Sequence, residues 1–264
     1  MQVEWEIIAN CNYDCGYCGC LSPVALGYEK DPEVLNAFME KLHEEYSDIE
    51  LFLLGGEVYI HPKIDMILRK LLDLGQDFVV QTNYAKVSID KMRGAGLKYK
   101  INISIHPDDA DLDGMLLRLK ELPSLGMDVR RIDVMYVGDK SLAWHKEVKA
   151  VLDPKYYKVL RLMPVADFRT EGYQEHLKVY NTMARSWIYN KIYQFDDCKS
   201  TMPGYTDEAR CFTWERQINT YGKECLYKDN YIIYNPQLYP NTCCYKKDIA
   251  LDNNICKEPV CFLM

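Results

Sequence analysis

The chain has 264 residues and a net charge of −7, with its 32 Lys and Arg scattered rather than bunched. That pattern weighs against a phosphate-gripping surface, and so against nucleic acid as a partner. Apolar residues at 48% and charged ones at 27% exclude a disordered or low-complexity chain. No apolar run approaches the roughly 18–20 residues of a membrane span. The N-terminus, with Glu4 and Glu6, lacks the basic-then-apolar order of a signal peptide. A cytoplasmic protein that does not enter a membrane is the expectation.

In chain order, Val3–Ala9 is short and apolar and reads as a strand. Cys11–Cys20, with Gly16 and Gly19, is a loop. Asp31 and Pro32 look like the N-cap and first position of a helix running to Tyr46. Ile49–Leu54 is a buried strand ending in Gly55-Gly56. Pro62–Leu74 places Ile64, Ile67, Leu68, Leu71 and Leu72 at helical spacing. Strands over Asp77–Thr82, Tyr99–Ile105, Val129–Val137 and Tyr157–Met163 then alternate with helices over Val87–Ala95, Leu112–Leu122 and Leu142–Leu152. Tyr173–Tyr193 reads as a further helix. Repeated β–α units predict an α/β fold with a parallel sheet and crossover helices. Six units make a partial (β/α)6 TIM-like barrel rather than a closed eight-unit one.

After Phe195 the composition changes to prolines, tyrosines and cysteines. Lys223–Met264 holds five Lys against five Asp and Glu and no Arg, so it is no polyanion-binding tail. It has too few apolar stretches for a normal core, and a metal cluster would supply the missing stability. The expected organisation is a core over residues 1–195 and a small cysteine-rich extension over 196–264.

The 11 cysteines form two groups. Cys11, Cys15, Cys18 and Cys20 lie within ten residues, and Cys198, Cys211, Cys225, Cys243, Cys244, Cys256 and Cys261 follow residue 197. In a reducing compartment such clusters point to metal rather than disulfides. Buried thiols behaving as small apolar residues explain a few scattered cysteines better than two dense groups. The spacing Cys11-x3-Cys15-x2-Cys18 follows the first strand directly. Three thiolates on one tight loop can hold three irons of a 4Fe–4S cube and leave the fourth open. Cys20 follows Cys18 too closely to reach a separate corner with ease. A zinc site completed by Cys20 or a histidine is the alternative.

These residues resemble the radical S-adenosylmethionine (SAM) superfamily, whose signature is Cys-x3-Cys-x-aromatic-Cys. Tyr17 fills the aromatic position. Gly55-Gly56-Glu57 at the end of the second strand is similar to the family's Gly-Gly-Glu motif, with Val58 where Pro is usual. The resemblance implies that polar groups there bind the SAM amino group, with Glu57 pairing with an ammonium and the two glycines letting backbone approach a ligand. Asn83 in Gln81-Thr82-Asn83 looks like the family's Thr-Asn pair. Ser104 and His106 stand where the family contacts the SAM ribose or carboxylate, and Arg161 is a further candidate for a cofactor contact. Taken alone, Glu57 reads as a solvated charge, Asn83 as a loop cap and Arg161 as an ion-pair residue. Cys11–Cys18, Gly55–Glu57, Thr82–Asn83 and Ser104–His106 all fall at the carboxyl ends of strands, where parallel β/α folds bind ligands.

The tail is similar to the Twitch and SPASM extensions of the same superfamily, which carry auxiliary 4Fe–4S clusters. Cys225 and Cys243 bracket an expected hairpin, Tyr231–Tyr234 and Leu238–Tyr239, turning at Asn235-Pro236. With Cys256 and Cys261 they would surround one auxiliary cluster. An alternative hairpin runs from Cys211 to Cys225, Cys244 can replace Cys243, and a four-cysteine zinc site is the rival. The resemblance implies reductive SAM cleavage, a one-electron reductant such as flavodoxin or ferredoxin, and hydrogen abstraction from a substrate carbon. No leader-binding domain fits ahead of Val3, which leaves a small-molecule substrate or a peptide held by the core. Three readings follow: an oxidoreductase assisted by an auxiliary cluster, a bond-forming enzyme such as a peptide maturase, and a non-enzymatic iron–sulfur or zinc protein.

Overall fold

The computed structural model of the chain describes residues 2–15, 18, 28–136, 139–164, 231–234, 236–238 and 240–241. Strands β1 (Gln2–Ile8), β2 (Leu51–Gly55), β3 (Phe78–Thr82), β4 (Lys100–Ile105), β5 (Asp128–Tyr136) and β6 (Leu160–Pro164) alternate with helices α1 (Pro32–Tyr46), α2 (Ile64–Asp73), α3 (Lys86–Ala95), α4 (Leu112–Leu125) and α5 (Asp139–Val151). The six strands pair in parallel, each beside the next in sequence. The sheet does not close on itself, so the architecture is the expected partial barrel.

The helices cover one face of this sheet. Val3, Trp5 and Ile7 of β1, Leu51 and Leu53 of β2, Ile101, Ile103 and Ile105 of β4, and Ile132 and Val134 of β5 all point into the apolar core. α1 meets them with Leu35, Phe38, Met39 and Leu42, spaced at i, i+3, i+4 and i+7. Its start is as expected: Pro32 occupies the first turn and the Asp31 carboxylate accepts from the Glu33 N–H at 2.8 Å. The other face is mixed, with Phe52, Leu54 and Val79 beside a set of polar side chains. Glu4 and Glu6 of β1, Gln81 of β3, Asn102 and Ser104 of β4, Arg131 and Asp133 of β5, and Arg161 of β6 occupy the alternate positions. The strand registers set Gln81, Asn102 and Arg131 in one row and Ser104, Asp133 and Arg161 in the next.

Three expectations change. The sixth strand starts at Leu160, because Asp153 caps a 3-10 helix over Pro154–Val159 by accepting from Lys155 N–H at 3.0 Å. α4 passes through Pro123 and stops at Gly126, which adopts φ 66°. The tail hairpin exists, but its second strand is Pro240–Asn241 (β8), since Leu238 has φ 66° and belongs to the turn. Its first strand, β7 (Tyr231–Tyr234), pairs in parallel with β1 and extends the core sheet. The helix expected over Tyr173–Tyr193 lies outside the described residues.

Candidate cluster and cofactor site

The root of the cysteine loop is stitched to the end of β2. The Gly56 N–H donates to Ile8 O at 2.7 Å and the Glu57 N–H to Asn10 O at 2.9 Å. The two backbones approach so closely that a Cβ on Gly55 would lie 2.2 Å from Ile8 O, and one on Gly56 2.0 Å from Asn10 O. Gly55 also has φ 134°, which side chains rarely adopt. The glycine pair therefore makes room for the chain's own strand end, where the sequence suggested room for a ligand.

Glu57 departs further from expectation. Its carboxylate is fully buried and so does not face an exposed ammonium. It accepts from Tyr59 N–H, Asn83 N–H, and the Thr82 and Ser88 hydroxyls, at 2.7–3.2 Å. Burial pushes the carboxyl's pKa up, while these four donors pull it down. Glu57 is thus the knot that ties the ends of β2 and β3 to α3.

Asn83 faces the cysteine loop. Its amide donates to Asn12 Oδ1 at 2.9 Å and to Cys11 Sγ at 3.6 Å, and its Oδ1 accepts from Ala85 N–H. The Tyr13 N–H adds a second contact to Cys11 Sγ at 3.4 Å. Burial raises the Cys11 pKa; these two donors oppose it, and Cys18 is near enough for its charge to be felt there. The next residue, Tyr84, is fully buried with φ 56°, a region uncommon for a bulky side chain. Its carbonyl accepts from Arg118 Nε at 3.0 Å, and its N–H donates to Thr82 Oγ1 at 3.0 Å. The turn that aims Asn83 is held from both sides.

Cys15 is buried, with Sγ 3.5 Å from His106 Nδ1. His106 Nε2 lies 3.0 Å from Ser104 Oγ, which in turn reaches Thr82 O at 3.3 Å. Burial lowers the His106 pKa to about 4, so the imidazole is neutral. The Asp14 N–H donates to Asp109 Oδ1 at 3.1 Å, clamping the loop against the β4–α4 connection. The Cys18 N–H closes a turn onto Cys15 O at 3.0 Å. Tyr17, named from the motif, lies outside the described residues, as do Cys225, Cys243, Cys256 and Cys261.

Arg161, a candidate cofactor contact, is committed elsewhere. Its Nε and a terminal nitrogen grip both Asp133 oxygens at 2.6 and 2.9 Å, with both side chains buried. Replacing Asp133 with Ala strands a buried guanidinium and should cost about 3 kcal/mol. Urea denaturation of Asp133→Ala checks this, and adding Arg161→Met should recover most of the loss. The polar row of Gln81, Asn102 and Arg131 was missed from the sequence. The signal was the alternation of polar and apolar residues along β4 and β5, legible once one face of each strand is set against the helices.

The segment leaving the cysteine loop is pinned twice. His61 Nε2 donates to Glu29 O at 3.1 Å, and its Nδ1 accepts from Lys63 N–H. The Glu29 N–H donates to Pro236 O, in the tail hairpin's turn, at 2.9 Å. Tyr234 of β7 packs edge-on against Phe38 of α1, ring centroids 5.1 Å apart.

Among the described residues, no three His, Cys, Asp or Glu side chains converge on a single point as ligands of one metal ion. In a four-iron cube each thiolate takes a different corner, so three thiols need not converge on one point. The donor set of one exposed, one buried and one half-buried cysteine on a single loop fits the cube. No helix among the described residues is long and apolar enough to cross a membrane.

No curated protein matches the chain. Among solved structures, it resembles Streptococcus suis SuiB bound to the precursor peptide SuiA, with TM-score 0.59 and 14% identity, over 98% of this chain and 62% of that one. SuiB bound to S-adenosylmethionine gives TM-score 0.53 and 13% identity, over 98% and 60%. The structure of anSMEcpe with bound AdoMet gives 0.54 and 14%, over 94% and 75%. The chain thus spans about three fifths of the SuiB chains, and at these identities the likeness is one of fold. Residues 5–134, the stretch that carries β1–β5 with Cys11, Cys15 and Cys18, match the model of the radical SAM superfamily.

Proposed function

We propose that this chain is a radical SAM enzyme in which Cys11, Cys15 and Cys18 each hold one iron of a 4Fe–4S cluster. S-adenosylmethionine would bind beside that cluster, and the two together would supply reductive carbon–sulfur cleavage and hydrogen abstraction from a substrate carbon. The observation that carries this reading is the position of the cysteine loop, at the carboxyl end of β1 and stitched there to Gly56 and Glu57.

The chain's residues would do the following. Asn83 and the Tyr13 N–H orient the Cys11 sulfur. Glu57, Thr82 and Ser88 hold the strand ends rigid around it. The face of the sheet opposite the helices, with Gln81, Asn102 and Arg131, is where a substrate would meet the radical. The core is proposed to span 1–195 and the extension 196–264, with Cys225, Cys243, Cys256 and Cys261 holding an auxiliary 4Fe–4S cluster. That cluster would accept an electron from the substrate or anchor it. The reductant would be a flavodoxin or ferredoxin, and a reducing, cytoplasmic setting suits the thiols.

A second reading is a peptide-modifying, bond-forming enzyme, favoured by the likeness in fold to SuiB solved with its precursor peptide. Product mass separates the two: loss of two hydrogens from an oxidation, against a crosslink or an added group. The test of the proposal is anaerobic reconstitution with iron and sulfide, followed by SAM and dithionite. The expected result is about eight irons per chain and formation of 5′-deoxyadenosine. In a Cys256→Ala/Cys261→Ala variant the iron should fall to about four, with the first cluster kept; unchanged iron would rule out the auxiliary cluster. A colourless zinc protein that never cleaves SAM would leave the non-enzymatic reading.

A further inference from the structure

We propose that His106 is a positioning residue for Cys15, donating a hydrogen bond from Nδ1 to the iron-bound sulfur, with Ser104 holding the imidazole in that tautomer. The inference rests on the reading that Cys15 binds cluster iron. It moves His106 and Ser104 from SAM contacts to supports of a cluster ligand.

The geometry is a chain of three contacts from one strand end to the next. Cys15 Sγ faces His106 Nδ1 at 3.5 Å, His106 Nε2 faces Ser104 Oγ at 3.0 Å, and Ser104 Oγ reaches Thr82 O at 3.3 Å. Tyr13 stands edge-on to the ring with centroids 6.1 Å apart, and Asp109 holds the Asp14 N–H, so ring and loop share one frame. A neutral imidazole has one donor and one acceptor, and the hydroxyl of Ser104 has one proton and two acceptors within reach. With Cys15 as a thiol, its S–H points to Nδ1, the Nε2 proton goes to Ser104, and the hydroxyl points to Thr82 O. With Cys15 as an iron-bound thiolate, the sulfur can only accept. The thiol proton then leaves to solvent, the imidazole carries its proton on Nδ1, and the Ser104 hydroxyl swings from Thr82 O to Nε2. In both arrangements every donor of this chain of contacts keeps a partner.

A donor aimed at a cluster sulfur favours the more negative, reduced cluster and so raises its potential. Cys11 receives Asn83 and the Tyr13 N–H; His106 gives Cys15 the equivalent support.

The test uses the full-length reconstituted chain without SAM, with iron and sulfide counted and the potential read by EPR-monitored titration. SAM binding is measured separately. His106→Phe and His106→Gln should titrate at a more negative potential than the wild type at equal iron. His106→Asn, whose amide stands near the Nδ1 position, should return toward it. Ser104→Ala should shift the same way by less. If His106→Phe holds no iron, the contrast between Asn and Gln decides. The inference is overturned if the potential is unmoved at full iron, if Gln restores it and Asn does not, or if only SAM affinity changes. A wild-type chain that takes up no cluster sinks the functional reading along with the inference; a wild-type cluster with an unmoved potential sinks the inference alone.

Discussion

Gly56→Ala should destabilise the apo-protein by about 4 kcal/mol or more and leave it unable to retain iron. The added methyl would sit 2.0 Å from Asn10 O and 2.4 Å from Asn10 C, which are backbone atoms with no rotamer to yield. Relief requires parting β2 from the residues just before Cys11, and this breaks the hydrogen bonds from Gly56 N–H to Ile8 O and from Glu57 N–H to Asn10 O. Moving Glu57 then disturbs a buried carboxylate and its four donors, each expensive to leave unpaired. Thermal and urea unfolding of the iron-free chain, with no SAM present, is the decisive measurement. If the glycines serve only to admit a ligand, the apo-protein will unfold like the wild type.

This is where reading the sequence and seeing the structure part company. A glycine pair at a strand end announces a close approach, but not to what. The partner, Ile8–Asn10, is 45 residues away from Gly55 by the nearer count, and its proximity is a product of the parallel pairing of β1 with β2. Glu57 and Arg161 follow the same logic. Their charges are visible in the sequence, but their burial depends on Thr82 and Ser88 in one case and Asp133 in the other, all brought in by topology. Local signals fared better. Asp31-Pro32 and the apolar spacing that follows define α1 from end to end, because capping and periodicity are properties of one short stretch. The order of the six strands was legible for a similar reason: short β–α units leave few ways to connect parallel strands. The pairing of β7 with β1 was not, since no local signal ties strands more than 200 residues apart.

Cys15→Ala should abolish 5′-deoxyadenosine formation while leaving the chain folded. The substitution removes one sulfur from a loop, so far-UV circular dichroism should be unchanged and the loss of stability small. Its effect on chemistry is total for a different reason. Three thiolates leave one iron of the cube open for SAM, whereas two leave two irons without protein ligands and the cluster labile. Cys15 is also the buried member of the three, held against His106. Cys15→Ser is the sharper control, because it keeps size and a weaker oxygen ligand, and should retain some iron but little turnover. Full deoxyadenosine formation by Cys15→Ala would remove the cysteine loop from the chemistry. Loss of turnover together with loss of fold would make Cys15 a structural thiol. Loss of turnover in a folded chain with depleted iron would assign it to the cluster.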